Sequence, residues 1–226
     1  MITIDWSGIR QVFLDMDGTL LDLHYDNHFW LEHLPLRLAQ QRGLDPATVR
    51  DELFGRYAAV RGRLEWYCLD YWSRELGVDI VALKREVAHL IDVKAHVRGF
   101  LDALRGAGRR VVLLTNAHDA SLRLKLEYTG IEGHFDRLIS SHGLGEAKES
   151  DAFWPRLQTI EPFDRDATLL IDDNLEVLRA ARRYGLGRLL AVRFPDSRRG
   201  AVDTGEFDAV EDFRAISPAA DSGAAP

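Results

Sequence analysis

The sequence predicts an α/β protein built on a doubly wound parallel sheet, with a helical insertion near its N-terminus. Short apolar runs that stop abruptly at polar residues recur along the chain, a pattern typical of strands buried in a parallel sheet. Segments rich in helix-forming residues separate these runs, and alternating strands and helices favour a doubly wound sheet. A long interval after the first run lacks a buried strand, which predicts the insertion.

Four apolar runs are predicted strands. The first three are expected to be buried in the sheet and the fourth to add an outer strand. They are Val12–Leu14, Val111–Leu114, Thr168–Ile171 and Leu189–Val192. Ligands of doubly wound sheets bind at the carboxyl ends of the strands, so the polar residues that follow these runs are the candidate site.

Three predicted helices lie between or after these strands, and each ends at a glycine. Glycine readily adopts the left-handed conformation that closes a helix. The helices are Leu101–Ala107 before Gly108, Ser121–Thr129 before Gly130, and Leu175–Tyr184 before Gly185.

The helical insertion is predicted to span residues 23–95, because helix formers and aromatic residues dominate from Phe29 through Ile91. The catalytic core is then discontinuous and consists of residues 1–22 and 96–217. Ser, Pro, Gly and Ala dominate residues 218–226, which predicts a disordered tail.

Charge and cysteine content restrict the expected partners and location. The 226 residues carry 29 Lys and Arg against 36 Asp and Glu, and no basic run would follow a phosphate backbone or an anionic membrane. We therefore expect no nucleic-acid partner. We also expect no membrane partner, because the apolar runs are far shorter than the ~18 residues of a membrane span. One cysteine, Cys68, and an N-terminal segment without a signal-peptide pattern predict a reducing, cytoplasmic location.

The segment Phe13–Leu20 brings two carboxylates from a strand into a glycine-containing turn. This pattern suits phosphoryl transfer. Asp15 would attack phosphorus and form an aspartyl-phosphate, which divides one difficult displacement into two easier ones. Asp17 would protonate the leaving oxygen and later deprotonate the attacking water. The alternative is a Ca²⁺ loop or an ordinary Asp-Gly turn, although the longer acidic pattern of an EF-hand is missing.

A carboxylate that attacks a phosphate dianion meets charge repulsion, so the hypothesis requires a divalent cation and further positive charge nearby. Asp172 and Asp173 follow the third strand and suit a hard metal. Asp173 is the preferred direct ligand, while Asp172 would bind through water or orient its neighbour. The alternative is that this pair caps a helix or forms a solvated turn.

Three further residues are candidates for holding the phosphate. Thr115 and Asn116 follow the second strand, where a hydroxyl and successive backbone amides would bind the non-transferring oxygens. Lys148, in a later loop, would neutralise both the phosphate and the nucleophile. Taken singly, Thr115 would cap a helix and Lys148 would be solvated; their order along the chain supplies the specificity.

These elements, a strand followed by Asp-Met-Asp-Gly-Thr, a strand followed by Thr-Asn, a lysine and a strand followed by Asp-Asp, resemble the signature of the haloacid-dehalogenase-like hydrolases. The resemblance spans Val12 to Asn174. It implies a Rossmann-like core in which Asp15, the Asp17 carbonyl and a final acid bind Mg²⁺. The helical insertion is similar to the helical cap of this superfamily. Asp17 favours a phosphatase, because the dehalogenase members lack that second carboxylate.

Segments outside this signature resemble the bacterial GMP/IMP nucleotidase branch. They are Leu21–Leu23, Asp26–Trp30, Trp66–Trp72, Thr115–His118, Lys125–Gly130 and Pro195–Ser197. The resemblance implies hydrolysis of purine 5′-monophosphates, GMP or IMP. One departure is Gly145-Glu146-Ala147-Lys148, where that branch has Gly-Tyr-Pro-Lys. Two alternatives stay open: a phosphatase of phosphosugars, phosphoglycolate or another small metabolite, and a catalytically inactive regulatory or binding module.

Four aromatic residues crowd one predicted helix of the insertion. Trp66, Tyr67, Tyr71 and Trp72 cannot all share the apolar stripe of that helix. Some are therefore expected to face the substrate, where a purine ring would stack on one of them. The alternative is that they form the core of the insertion.

Overall fold

The computed structural model describes residues 3–219. Within that range six parallel strands form one sheet in the order β3-β2-β1-β4-β5-β6. The strands are β1 (Gln11–Leu14), β2 (Arg110–Thr115), β3 (Arg137–Ser140), β4 (Thr168–Ile171), β5 (Arg188–Val192) and β6 (Ala209–Val210). The predicted tail lies outside the described residues, apart from residues 218 and 219.

Strand β1 occupies the middle of the sheet. All its residues are buried, as expected for a parallel strand that is covered on both faces. Leu14 pairs with Leu113 of β2 and with Ile171 of β4. The residues that follow β1 and β4, Asp15 and Asp172, therefore emerge side by side at the carboxyl edge of the sheet.

The chain between β1 and the next sheet-covering helix is helical and has its own apolar core. Its helices are α1 (His24–His28), which continues through a π-helical turn (Phe29–His33) into α2 (Leu34–Arg42), then α3 (Pro46–Val60), α4 (Leu64–Tyr67), α5 (Leu69–Leu76), α6 (Ile80–Glu86) and a 3₁₀ turn (Ala88–Leu90). Phe29, Leu53 and Trp72 are buried together in this part of the chain. Two chain segments connect it to the sheet domain and are hydrogen-bonded to each other. The N–H of Asp22 donates to the carbonyl of Asp92, and the N–H of Lys94 donates to the carbonyl of Leu20.

Four further helices cover the sheet. They are α7 (Val97–Gly106), α8 (Asp119–Thr129), α9 (Phe153–Ile160) and α10 (Leu175–Tyr184). Phe100 of α7 packs with Val12 on one face, whereas Trp154 of α9 packs with Phe13 on the other. Because successive strand residues point to opposite faces, these two clusters form the two layers of a doubly wound fold.

The predicted fold class is confirmed, and the four predicted strands are present. The prediction that Leu189–Val192 is an outer strand is wrong, because β6 pairs beyond it. Two strands were not predicted. In β3 only the last two residues are buried, and β6 has two residues, so neither contains an apolar run. No helix in residues 3–219 combines the length and apolar character needed to cross a membrane.

Candidate active site

The loop after β1 carries Asp15 and Asp17 and closes tightly on itself. Leu20 and Leu21 both donate their backbone N–H groups to the carbonyl of Met16. Gly18 has a φ of +83°, and a Cβ atom there would lie 2.4 Å from Asp173 Oδ2. Glycine is therefore required twice, for the left-handed conformation and for the close approach of the Asp173 carboxylate.

Thr19 joins this loop to the residues that follow β4. Its side chain is fully buried, and its hydroxyl accepts a hydrogen bond from the Asp173 N–H at 3.1 Å. The first and last motifs of the sequence are thereby held against each other by a hydrogen bond as well as by the pairing of β1 with β4.

Lys148 lies between the carboxylates of Asp15 and Asp172. Its Nζ donates to Asp15 Oδ1 at 2.6 Å, to Asp172 Oδ2 at 2.7 Å and to the carbonyl of Leu114 at 2.9 Å. Burial alone would lower the pKa of Lys148, but the two carboxylates raise it above its ordinary value. The lysine is therefore a permanent cation that fixes the orientation of Asp15.

Three carboxylates remain close together at this edge. Asp15, Asp172 and Asp173 each place an oxygen within 4.8 Å of the others. Burial, with repulsion from Asp15, raises the pKa of Asp172 to about 7, and the same two causes raise the pKa of Asp173 well above its usual range. The negative charge exceeds what Lys148 offsets, and a set of hard oxygen donors fits a divalent cation such as Mg²⁺.

The structure distinguishes the two acids that follow β4. Asp172 is almost completely buried and is bound to Lys148, whereas Asp173 is half-buried and lies against Gly18. This arrangement agrees with an orienting position for Asp172 and a direct metal position for Asp173. The ligand assignment itself stays a prediction.

Thr115 and Asn116 lie at the end of β2, but their side chains are used differently. Thr115 borders the cavity described below, and its hydroxyl accepts from the Ala117 N–H at 3.0 Å. Asn116 donates to Glu149 Oε2 at 2.8 Å and accepts from the Lys148 N–H at 2.9 Å. Both ends of the Asn116 amide therefore hold the lysine loop, and its contact with phosphate stays a prediction.

Glu149 is a residue that sequence reasoning missed. Its carboxylate accepts hydrogen bonds from Tyr67 at 2.5 Å, from Asn116 and from Asn174 at 2.9 Å. Tyr67 belongs to the helical insertion, whereas the other two donors belong to the sheet domain. Glu149 therefore connects the insertion to the active-site edge, and its position directly after Lys148 was the available signal.

A cavity of about 630 Å³ opens over the carboxylates. Its floor includes Asp15, Asp17 and Lys148, and the helical insertion contributes Arg61, Gly62, Trp66 and Tyr67 to its walls. Trp72 is fully buried in the insertion instead, where its Nε1–H donates to the carbonyl of Trp66. The crowded aromatics thus divide into two that face the cavity and two, Tyr71 and Trp72, that do not line it.

Asp17 also lines this cavity and has a close cationic partner. Lys125 Nζ lies 2.6 Å from Asp17 Oδ1. Burial, with repulsion from the nearby Asp26 and Asp15, raises the pKa of Asp17 to about 6 although Lys125 opposes the shift. A carboxyl group with this pKa gains and loses a proton near neutral pH, as a group with both acid and base roles must.

Comparison with known proteins gives concordant results. A family model described as haloacid dehalogenase-like hydrolase matches residues 9–185, a range that contains every candidate residue above. The GMP/IMP nucleotidase YrfG of Escherichia coli (strain K12) is 37% identical over 217 residues, which cover 96% of this chain and 98% of that protein. The (S)-2-haloacid dehalogenase 2 of Pseudomonas sp. (strain CBS-3) is 26% identical over 188 residues, 78% of this chain and 81% of that protein.

A solved structure supports the fold independently. The phosphatase from Thermococcus onnurineus superposes with a TM-score of 0.74 at 17% sequence identity, over 91% of this chain and 95% of that chain. Similarity at this level of identity speaks for the architecture alone.

Proposed function

The chain belongs to the haloacid dehalogenase-like hydrolase family, and from this premise we propose that it hydrolyses purine nucleoside 5′-monophosphates through an aspartyl-phosphate on Asp15. The observation that carries the proposal is the buried Lys148 between Asp15 and Asp172, with Asp17 lining the same cavity. This arrangement supplies a nucleophile, a cation to orient it and a separate group for proton transfer.

In the first step an oxygen of Asp15 attacks phosphorus. The new bond joins Asp15 to phosphorus, while the bond from phosphorus to the ester oxygen breaks. Asp17 gives its proton to that oxygen, so the nucleoside leaves as a neutral alcohol. Lys148 holds Asp15 in line and offsets negative charge as the phosphate approaches.

In the second step water attacks the phosphorus of phospho-Asp15. Asp17, which is now a carboxylate, accepts a proton from this water, and the bond between phosphorus and Asp15 breaks. Inorganic phosphate leaves, and both aspartates return to their initial state. The pKa of about 6 at Asp17 suits an exchange between these two forms near neutral pH.

Asp15, Asp173, the carbonyl of Asp17 and, through water or orientation, Asp172 would hold Mg²⁺. When bound, the cation offsets the charge of the phosphate and of the three carboxylates and orients the phosphate oxygens. Thr115, with backbone N–H groups after β2, would hold the oxygens that are not transferred.

The phosphatase branch of the family is supported over the dehalogenase branch by Asp17. Displacement of a halide requires no proton for the leaving group, whereas an alkoxide does. Asp17 lines the cavity, with Lys125 Nζ 2.6 Å from its Oδ1, which supports a proton-transfer role for Asp17.

The helical insertion supports a nucleotide as the substrate. Trp66 lines the cavity and offers a flat ring for a purine, and Arg61 offers donors for its acceptor atoms. The departure from the nucleotidase pattern lies outside this cavity: Glu146 pairs with Arg156 at 3.0 Å, and Ala147 is buried. Neither residue lines the cavity, so the departure leaves the proposed contacts of Trp66 and Arg61 with the purine unchanged.

Phosphate release should be measured for GMP, IMP, a sugar phosphate and phosphoglycolate, with halide release from a 2-haloacid in parallel. We expect the highest kcat/KM for GMP or IMP and no halide release. Asp15→Asn and Asp17→Asn should each remove nearly all activity while circular dichroism shows an intact fold. Preference for a sugar phosphate would overturn the nucleotide assignment, and near-normal turnover by either variant would overturn the mechanism.

A further inference from the structure

A network of four charged side chains, which begins at Asp17, extends into the helical insertion. Lys125 of α8 places its Nζ 2.6 Å from Asp17 Oδ1 and 2.6 Å from Asp26 Oδ2. Lys84 of α6 donates to the other oxygen of Asp26, Oδ1, at 2.9 Å. Negative and positive groups alternate along this network, which consists of Asp17, Lys125, Asp26 and Lys84, and their charges balance.

Both lysines of the network are withdrawn from solvent, with 1% of each exposed. An ammonium group is costly to bury unless it is well paired. The Tyr25 ring centroid lies 4.7 Å from Lys84 Nζ and 5.4 Å from Lys125 Nζ, which adds cation–π attraction. Replacement of a buried ion pair by apolar side chains of similar volume is often neutral or stabilising, so we look for a role of this network beyond packing.

We propose that Lys125 is a positioning residue for proton transfer by Asp17 and that Asp26 of the insertion holds Lys125 in place. This inference rests on the proposed function, because it assigns a partner to the proton-transfer group of that reaction. Lys125 Nζ pairs with Asp17 Oδ1 by charge, and this buried oxygen has no hydrogen-bond partner among the described residues. The other oxygen, Oδ2, is left for exchange with the leaving group and with water.

The network couples the orientation of Asp17 to the position of the insertion. Asp17 and Lys125 belong to the sheet domain, whereas Asp26 lies on α1 and Lys84 on α6. Lys125 and Asp26 do not line the cavity formed by the described residues, so they would influence the reaction through Asp17. A displacement of α1 would leave Lys125 with one carboxylate instead of two.

The test compares two substrates of similar size whose leaving groups differ. p-Nitrophenyl phosphate releases a stabilised anion that needs little protonation, whereas benzyl phosphate releases an alkoxide that needs a proton. The parameter to compare is kcat/KM, which covers the steps up to formation of phospho-Asp15 and excludes its hydrolysis. Loss of an oriented acid should therefore reduce kcat/KM for benzyl phosphate far more than for p-nitrophenyl phosphate.

For Lys125→Met we expect kcat/KM for benzyl phosphate to fall about 10- to 100-fold more than for p-nitrophenyl phosphate. Asp26→Asn should shift the ratio in the same direction by less. Lys125→Arg keeps the positive charge, so its ratio of the two kcat/KM values should lie between those of Lys125→Met and wild type. Lys84→Met is the matched control, because it removes an equally buried lysine that contacts Asp26 and not Asp17, and it should leave the ratio unchanged.

A purely structural role would lower kcat/KM for both esters alike in Lys125→Met and Lys84→Met, and this result would overturn the inference. An unchanged ratio in a folded Asp26→Asn variant would overturn it as well, even if Lys125→Met fails to fold. The substrate proposal fails separately, if wild type hydrolyses both esters but not GMP. A wild type that is inactive on every ester overturns the proposed function and this inference together.

Discussion

Gly18 lies where the loop after β1 meets Asp173, which follows β4. Its φ of +83° lies in the left-handed region, and the carboxylate of Asp173 occupies the space where a Cβ atom would be. Gly43, at the end of α2, has a φ of +66° but no atom within 4 Å of the corresponding position. Both glycines therefore adopt a left-handed conformation, but only at Gly18 does another atom lie close to the Cβ position.

Alanine at these two glycines should separate backbone strain from displacement of Asp173. Each variant should lose about 1–3 kcal/mol of unfolding free energy from strain. Only Gly18→Ala should also weaken metal binding, because Asp173 must move. The measurement is the Mg²⁺ concentration for half-maximal activity, with thermal melts to check folding; an equal Mg²⁺ requirement in both variants would contradict the contact.

At the residue scale the sequence predicts the acids and the lysine of the candidate site better than their partners. Asp15, Asp172 and Thr115 directly follow apolar runs, and strand ends of a parallel sheet meet at one edge. Lys125, by contrast, sits inside a helix and reads as an exposed lysine, because only tertiary packing brings Asp17 and Asp26 to it. The hydrogen bonds of Asn116 to Lys148 and Glu149 also depend on tertiary packing and could not be predicted from one sequence.

At the element scale, Glu161 forms hydrogen bonds with the first residues of three strands, at the edge of the sheet opposite the candidate active site. Its buried carboxylate accepts from Arg110 of β2 at 2.6 Å, from Arg137 of β3 at 3.1 Å and from Gln11 of β1 at 2.8 Å. Burial tends to raise the pKa of Glu161, but the arginines outweigh it and lower the pKa below the ordinary 4.5. Strand β3 lacks an apolar run, so these long-range contacts help to explain why it pairs where the sequence predicted no strand.

Glu161→Gln should lower the unfolding free energy by about 1–3 kcal/mol at neutral pH, because charge-assisted hydrogen bonds are lost. A folded-state pKa below the unfolded one stabilises above the unfolded value and stops doing so as the pH falls through the folded value. The difference from wild type should therefore shrink in acid. Urea unfolding across pH measures it, with Glu206→Gln, an exposed partner of Arg179, as the control that should cost less. A constant difference down to the lowest pH would contradict the ion-pair account.

The short helices α4 and α5 place the aromatic residues of the insertion in two environments. Trp66 lines the cavity, whereas Tyr71 packs edge-on against Trp72 at 5.1 Å between ring centroids. Helical periodicity alone could not assign them, because α4 ends at Tyr67 and α5 begins at Leu69 with a new orientation. The break at Cys68 divides what the sequence predicted as one helix.

Trp66→Ala should lower kcat/KM for GMP and IMP by roughly tenfold to a hundredfold, or about 1–3 kcal/mol, through the loss of base stacking. Turnover of p-nitrophenyl phosphate should be largely preserved. Tyr71→Ala is the matched control, since it truncates an aromatic of the insertion that does not line the cavity. Equal losses on nucleotide and small substrates in Trp66→Ala would make Trp66 a structural residue.

At the scale of the whole molecule, the protein concentrates buried acids at one edge of its sheet, and we propose that a bound cation balances their charge. In the metal-free protein the pKa of Asp172 is raised to about 7 by burial and by Asp15. A carboxyl group with a raised folded-state pKa destabilises the protein as the pH rises from the unfolded value towards the folded value. The metal-free protein should therefore lose stability over that range, and bound Mg²⁺ should restore it.

Mg²⁺ should bind with release of protons, because its carboxylate ligands must be ionised. We expect the rise in Tm caused by Mg²⁺ to be larger at about pH 8 than at about pH 6. Thermal melts with chelator and with Mg²⁺ at each pH measure this difference, and Asp172→Asn should reduce its pH dependence. A Tm rise that is independent of pH would contradict the ionisation of these acids on binding.

The covalent phosphate proposed on Asp15 can be detected by trapping the intermediate. Wild type and Asp15→Asn should be mixed with GMP labelled at phosphorus and quenched in acid within a single turnover. We expect label on the wild-type protein, removed by hydroxylamine and mapped to the peptide that contains Asp15, and none on the variant. Full product formation by wild type without labelled protein at any quench time, or equal label on Asp15→Asn, would rule out a covalent phosphate on Asp15.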